Sequence, residues 1–230
     1  VIQHQIDSRK IETIGGLAVI DLNNDGRDDF IDFGSNPAFN SFPLTVGVWV
    51  MSNGNSGESG IVSKYRAASW NGWQIMEQED KIVPWYIRSH GQRIIGNYGE
   101  PKAFETVLQS PENWNHLVCV FDEDGGRIYH NGSLQDTKAW TGDPSAPTAS
   151  HGLYVGRYQG AGSGFYSGRI DDVRIYDRTL SAEEVTALYE LEKPNPTDLR
   201  LSYALAKKEA LNNVFEILTR FEELKSLFDA

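Results

Sequence analysis

A single cysteine, Cys119, stands in the 230 residues, so no internal disulfide can form. It sits inside the apolar run LVCVF and reads as a small buried hydrophobe rather than a nucleophile. No apolar run reaches the roughly 18 residues that a membrane helix needs, so membrane insertion is not expected. Basic residues are scarce: 21 Lys and Arg stand against 32 Asp and Glu, a net charge of −11. A chain this acidic repels polyphosphate, which excludes a nucleic-acid partner. The five histidines lack zinc spacing. There is no Walker loop and no GxSxG elbow. The start at Val1, with no basic-then-apolar leader, reads as a processed or trimmed end.

What the chain does have is glycine (22 residues), aromatics (11%) and enough apolar residues (40%) for a sizeable core. Short runs rich in β-branched and aromatic residues recur between Gly, Asn and Asp clusters. They are 16–22, 29–34, 42–50, 60–65, 72–77, 82–88, 93–98, 114–122, 126–135, 152–158 and 167–177. WNHLVCVFD is the most apolar and should be central. Pro84 hints at an edge or a bulge. Asn131-Gly132 is the preferred pair for a two-residue type I′ hairpin; the same residues with Ser133 match a glycosylation sequon, and the hairpin is the stronger reading. No βαβ rhythm appears, so the pattern predicts an all-β, two-sheet antiparallel jelly-roll sandwich.

After Tyr176 the pattern changes. Ser181 and Glu184 form a capping box, predicting a short helix to about Leu191. Pro194 and Pro196 then break the chain. In 197–229 an apolar stripe, Leu211, Val214, Phe215, Leu218, Phe221, Leu224 and Phe228, predicts a C-terminal amphipathic helical extension. The division is a sandwich over 1–192 and an extension over 193–230. The extension is expected to pack on its own domain or pair with another copy as a homo-oligomer.

DLNNDGRDDFID (21–32) fits calcium. Asp21, Asn23, Asp25, Gly26, Asp29 and Asp32 fall at the first, third, fifth, sixth, ninth and twelfth places of a calcium-loop series. Without a cation, so many carboxylates repel one another. The plainer reading is a solvated Asn/Asp turn.

Four stretches resemble one family. DGRDDFIDFGSNPAFN, LTVGVWV, WNHLVCVFDEDGGRIYHNGSL and GFYSGRIDDVRIYDRTLSAEEVTALY are similar to the LamG-like (concanavalin A-like, laminin G type 3) jelly-roll modules, over roughly 16–191. The resemblance implies two facing sheets, a secreted or cell-surface location, and glycan binding or adhesion. It also implies one structural Ca²⁺ on the convex side, with Asp171 as a ligand. Here Asn23 and Asn24 look like an insertion in the opening hairpin. The expected metal set is therefore Asp21, Asn23, Asp25, Asp29 and Asp171. Asp172 alternates to the other side unless a bulge intervenes.

Catalysis is not expected. Related hydrolases carry a Glu-x-Asp-x-x-Glu strand, absent here. The acidic cluster MEQED (76–80) reads as an exposed hairpin tip. Arg88, His90 and Arg93 form a basic-polar group near Tyr86 that a polysaccharide lyase could use. Sugar C–H faces stack on aromatic rings. Trp70, Trp85, Tyr86, Tyr98, Trp140, Tyr158 and Tyr166 lie in loops or on polar strands, while Trp49, Trp73 and Trp114 lie in apolar runs and read as core. Trp85, Tyr86, Trp140, Tyr158 and Tyr166 are the expected glycan contacts. The Gly-rich stretch 156–166 reads as a mobile lip. The expected function is a non-catalytic extracellular carbohydrate-binding or adhesion module stabilised by calcium. The alternatives are a lyase or hydrolase, or a purely structural module.

Overall fold

The structure, a computed structural model, describes residues 11–14, 30–55, 57–95, 104–108, 110–158 and 164–193. The strands in chain order are β1 (Ile11–Ile14), β2 (Ile31–Asp32), β3 (Leu44–Ser52), β4 (Ser59–Arg66), β5 (Asn71–Gln78), β6 (Lys81–Ser89), β7 (Gln92–Ile95) and β8 (Thr106–Val107). They continue as β9 (Asn115–Asp122), β10 (Gly125–His130), β11 (Ser133–Lys138), β12 (Tyr154–Val155) and β13 (Gly168–Tyr176), followed by helix α1 (Ala182–Glu192). The pairings are antiparallel and build two sheets. One has the order β1-β13-β3-β9-β10-β11; the other runs β2-β12-β4-β5-β6-β7, with β8 beside β6.

The sandwich follows from period-two burial. Val46, Val48 and Val50 of β3 stand beside Leu117, Cys119 and Phe121 of the neighbouring β9 in one core, shared with Trp73, Ile75, Ile82 and Tyr86 from the opposite sheet. Trp73 is fully buried, and its Nε1 donates to the Phe39 carbonyl (2.6 Å), so the one polar atom of the ring is satisfied. Cys119 is free and buried, and burial pushes its thiol far up, which removes the thiolate a nucleophile needs. Trp114 departs from expectation: it is half-buried, because it precedes β9 rather than lying within it.

Pro84 lies on an interior strand. The β6–β7 ladder ends at Trp85 and the β6–β8 ladder begins at Ile82. Residue 84 pairs with Ile75 of β5 and, among the described residues, falls between the two ladders on the other side of β6. Asn131 and Gly132 join β10 to β11 with φ of 49° and 77°, the left-handed pair of a type I′ turn. The Asn131 side chain is engaged, its Oδ1 accepting from His116 N (2.9 Å).

The capping box forms as its spacing predicts. Glu184 N donates to Ser181 Oγ (3.2 Å), and Ser181 N donates to Glu184 Oε2 (2.9 Å). The helix lies on the outer face of the first sheet, where Val185 and Leu188 join Val118, Val120, Tyr129, Tyr176 and Leu180. Tyr189 stacks on Trp49 (6.0 Å), and His116 lies against both rings.

The chain divides into two compact units, Val1–Leu191 and Glu192–Ala230. The strand expected over 16–22 and the apolar stripe within 197–229 lie outside the described residues, as does Tyr98.

Candidate functional site

Four of the five expected glycan contacts are buried, and the structure corrects their role. Tyr86 (0% exposed) and Tyr166 (1%) belong to the inter-sheet core. Tyr86 Oη donates to the Ser41 carbonyl (2.7 Å), so its polar tip is spent inside the fold, and burial pushes its pKa far up. Trp85 (5%) and Tyr158 (8%) join Tyr65, Met76, Val83, Ile87 and Ile95 in a second apolar cluster. Trp85 meets Tyr65 edge-on at 5.4 Å. Trp140 is half-buried against Phe42 and Tyr86, with Nε1 donating to the Asp122 carbonyl (2.7 Å). These rings are packing elements. Tyrosine and tryptophan satisfy a core and a sugar platform equally well by composition, and only the local hydrogen bond separates the two.

Of the expected metal ligands, Asp21, Asn23, Asp25 and Asp29 lie outside the described residues; Asp171 is on β13, opposite Trp49. A bulge follows it: the β13–β3 register shifts between Asp171 and Arg174, and Asp172 takes φ +48°. The alternation that would turn Asp172 away is thereby broken. Asp171 Oδ1 accepts from Asp172 N (2.8 Å). The Asp172 carboxyl is held above its usual pKa by desolvation, with Asp171 adding to the shift and Arg174, 3.8 Å away, opposing it. β1 ends with Ile14 opposite Val173, so the chain leaves that strand beside the two acids. Among the described residues no three His, Cys, Asp or Glu side chains converge. Calcium needs about six to eight oxygens, so this pair could serve only with donors from elsewhere.

Glu77, expected at an exposed hairpin tip, is fully buried; only Gln78 to Asp80 reach the surface. Its Oε1 accepts from Ser52 Oγ (2.7 Å), which ties β5 to β3 across the two sheets. Desolvation raises its pKa, against hydrogen bonds from Ser52, Asn55 and Tyr166. The charge of Asp80 adds to the rise, and the Ser52 bond ties this carboxyl into the fold. Tyr86, expected beside the basic group Arg88, His90 and Arg93, is buried in the core.

An exposed constellation does form, around Trp70 at the β4–β5 turn. Trp70 ends a 3-10 turn (Ala67–Ser69) with φ 45° and ψ 44°. A bulky side chain in the left-handed region is strained, at a cost of roughly 1–3 kcal/mol. The half-buried ring packs against the second apolar cluster and lies tilted against His90 at 4.3 Å. Next to it, Asn71 holds three elements together. Its Nδ2 donates to the Arg88 carbonyl (3.0 Å) and to Thr148 Oγ1 (3.1 Å), and its Oδ1 accepts from Thr148 N (2.8 Å). Arg88 Nη1 also donates to Thr148 Oγ1 (3.1 Å). Arg93 Nη1 reaches His90 Nδ1 (3.4 Å), while its backbone pairs with Thr141. On the near side His151 Nε2 lies 3.3 Å from both Ser69 Oγ and the Asn71 carbonyl, and Lys64 Nζ donates to the His151 carbonyl (2.7 Å). Three loops thus bring one tryptophan, three arginines counting Arg66, and two histidines to one end of the second sheet. Arg66, Arg88 and His90 form no ion pair among the described residues. For a chain of net charge −11 this is a local reversal of sign. The basic trio Arg88, His90 and Arg93 was visible in the sequence. Trp70 was visible only as a loop aromatic, since nothing local announces its left-handed backbone.

In similarity to solved structures, the binding domain of botulinum neurotoxin DC, in complex with rat synaptotagmin II, has a TM-score of 0.52 at 13% identity, over 79% of this chain and 46% of that one. The botulinum neurotoxin serotype G binding domain gives 0.52 at 17% identity, over 80% of this chain and 46% of that one. The chain therefore spans about half the length of those domains. A CBM40 of a Ruminococcus gnavus IT-sialidase, bound to α2,3 sialyllactose, gives 0.50 at 12% identity, over 70% of this chain and 96% of that one. At these identities the likeness is one of fold. No curated protein sequence matches the chain. The laminin G type 3 profile, described as concanavalin A-like lectin/glucanases superfamily, matches residues 25–186. With two antiparallel jelly-roll sheets and a match over more than half its length, the chain belongs to the laminin G type 3 family of that superfamily.

Proposed function

We propose that this domain is a non-catalytic, extracellular carbohydrate-binding module whose contact surface is the Trp70 end of the second sheet. The observation that carries the reading is Trp70 itself: an aromatic ring kept in a strained backbone, set against His90 and flanked by Arg66 and Arg88, which form no ion pair among the described residues. Tryptophan offers a flat apolar face to sugar C–H groups, and Arg88, Asn71 and Thr148 offer polar atoms beside it. Neighbouring folds that bind sialyllactose or a receptor support a binding role. The buried state of Glu77 and Tyr86 supports the absence of catalysis. A glycan array with the wild-type chain and Trp70→Ala tests this. The expected result is selective binding that falls at least about tenfold in the variant, on the scale of a lost stacking contact, without product release. Hits unchanged in Trp70→Ala, or turnover of a bound glycan, would sink the reading.

A second reading concerns calcium, and the Asp171–Asp172 bulge favours it. With Asp21, Asn23, Asp25 and Asp29, these acids would supply the hard oxygen donors calcium takes, and the ion would relieve their mutual repulsion. The expected result is a lower thermal midpoint in EGTA, restored by Ca²⁺ and lost in Asp171→Asn. An EGTA-insensitive midpoint rejects it.

A further inference from the structure

At the far edge of the second sheet, Arg157 is gripped by three rings. Its guanidinium carbon lies 4.7 Å from the Phe30 ring centre, 5.3 Å from Phe165 and 6.0 Å from Tyr154. The rings brace one another, with Phe30 at 5.8 Å from Tyr154 and 6.0 Å from Phe165. Three backbone connections build the cradle. Tyr154 pairs with Asp32 of β2, Arg157 bridges Phe165, and Gly156 accepts from Tyr166 N. The flanks of the Gly-rich stretch, read as a mobile lip, are thus a paired hairpin at residues 156–158 and 164–166.

Two features of Arg157 have no use in the fold. Its Nε is buried without a hydrogen-bond partner, and the guanidinium makes no ion pair among the described residues. Ring faces attract the cation's flat sides but satisfy none of its N–H donors, which all point outward in the guanidinium plane. With Nε buried and the side chain half-exposed, the two Nη groups at the tip form the planar fork of donors, and its natural complement is a planar fork of acceptors, a carboxylate. The partial desolvation of the arginine between rings strengthens such a pairing. Phe30, 37% exposed, adds an apolar face beside the fork. An anion and a flat C–H surface held side by side describe a carboxylated sugar better than an acidic peptide, whose carboxylates sit on flexible stems.

We infer that Arg157, with Phe30, Tyr154 and Phe165, forms a second binding site that accepts the carboxylate of an acidic sugar residue, separate from the Trp70 surface. The two lie at opposite ends of β4: Gly60 abuts Arg157, while Arg66 leads into Trp70. Six residues of strand separate those ends, about 20 Å.

Isothermal titration calorimetry of the whole chain with trigalacturonate, with neutral galactotriose and with an Asp-rich peptide tests this. The variants are Arg157→Gln, Arg157→Lys and Trp70→Ala. Lysine keeps a cation over the rings, and so the packing, but lacks the fork. Trigalacturonate should bind the wild type, at least tenfold more weakly Arg157→Lys, and Arg157→Gln not measurably. Trp70→Ala should bind it as the wild type does, which separates this site from the Trp70 reading. Galactotriose should not show Arg157-dependent binding. Wild-type affinity in Arg157→Lys, loss of uronate binding in Trp70→Ala, equal Arg157-dependent binding of galactotriose, or tighter binding of the peptide would each overturn the inference.

Discussion

Replacing Gly60 with alanine should lower the stability of the sandwich by about 3 kcal/mol or more, a midpoint drop of roughly 6–12 °C for a domain of this size. A Cβ there would lie 2.3 Å from the Arg157 carbonyl carbon and the Tyr158 nitrogen, and 2.4 Å from the Arg157 oxygen. These are backbone atoms and cannot swing aside as a side chain would. They are also held in place: Gly60 N donates to the Gly164 carbonyl, Tyr158 N to the same oxygen, and Gly156 N to the Ile61 carbonyl. Relief of the clash therefore means separating residues 156–158 and 164–166 from β4 and giving up the two bonds that join them to it, Gly60 N to Gly164 and Gly156 N to Ile61, each worth about 1 kcal/mol. Gly91→Ala is the matched control, because nothing lies within 4 Å of its Cβ position. Thermal and urea unfolding of both variants decides the matter. Equal midpoints for Gly60→Ala and wild type would mean that the hairpin is not seated on β4.

Acid should destabilise the fold through His116. The ring is 2% exposed, lies against both Trp49 and Tyr189, and has its pKa pushed down to about 4 by desolvation first, then by Arg174 and His130. His130, whose Nε2 donates to Asn115 Oδ1, is lowered by burial as well. In the unfolded chain a histidine takes a proton near pH 6.5. Between pH 6.5 and about 4 the unfolded state thus holds the extra proton, and stability falls as pH falls, by about 3 kcal/mol across the window for His116. Glu77 acts in the opposite sense. Its folded pKa is raised, so its share of stability is complete below the unfolded carboxyl value near 4.5 and is lost as pH rises through the folded value. The comparison of His116→Gln with wild type isolates the histidine. The variant's midpoint should change less between pH 6.5 and 4, whatever its absolute stability. Parallel curves would show that His116 is not held neutral by the fold.

Much of the architecture was readable because its signals are local. The apolar run of β9 has nowhere to go but between two strands, and it lies between β3 and β10. Asn131-Gly132 and Ser181-Glu184 each encode a backbone geometry within four residues. What escaped is what depends on distant partners. β8 is two residues long and exists only because β6 extends past β7. Glu77 looks solvated in its own context, and its burial depends on Ser52, a residue of the other sheet. The site was less legible than the fold for the same reason. Tyr86 and Arg88 stand two residues apart, yet one ends in the core on the Ser41 carbonyl and the other on Thr148. Arg157 drew no notice in the sequence because its three rings come from residues 30, 154 and 165.

Strand β4 acts as a ruler. A hydrogen-bonded strand hardly stretches, so the spacing between Gly60 and Arg66 is set by the covalent chain and by its neighbours β12 and β5. On the two proposed sites, a short acidic saccharide would engage one end of the ruler only. A longer one that spans both ends would make its second contact within the same complex, so avidity should rise with chain length in a step rather than gradually.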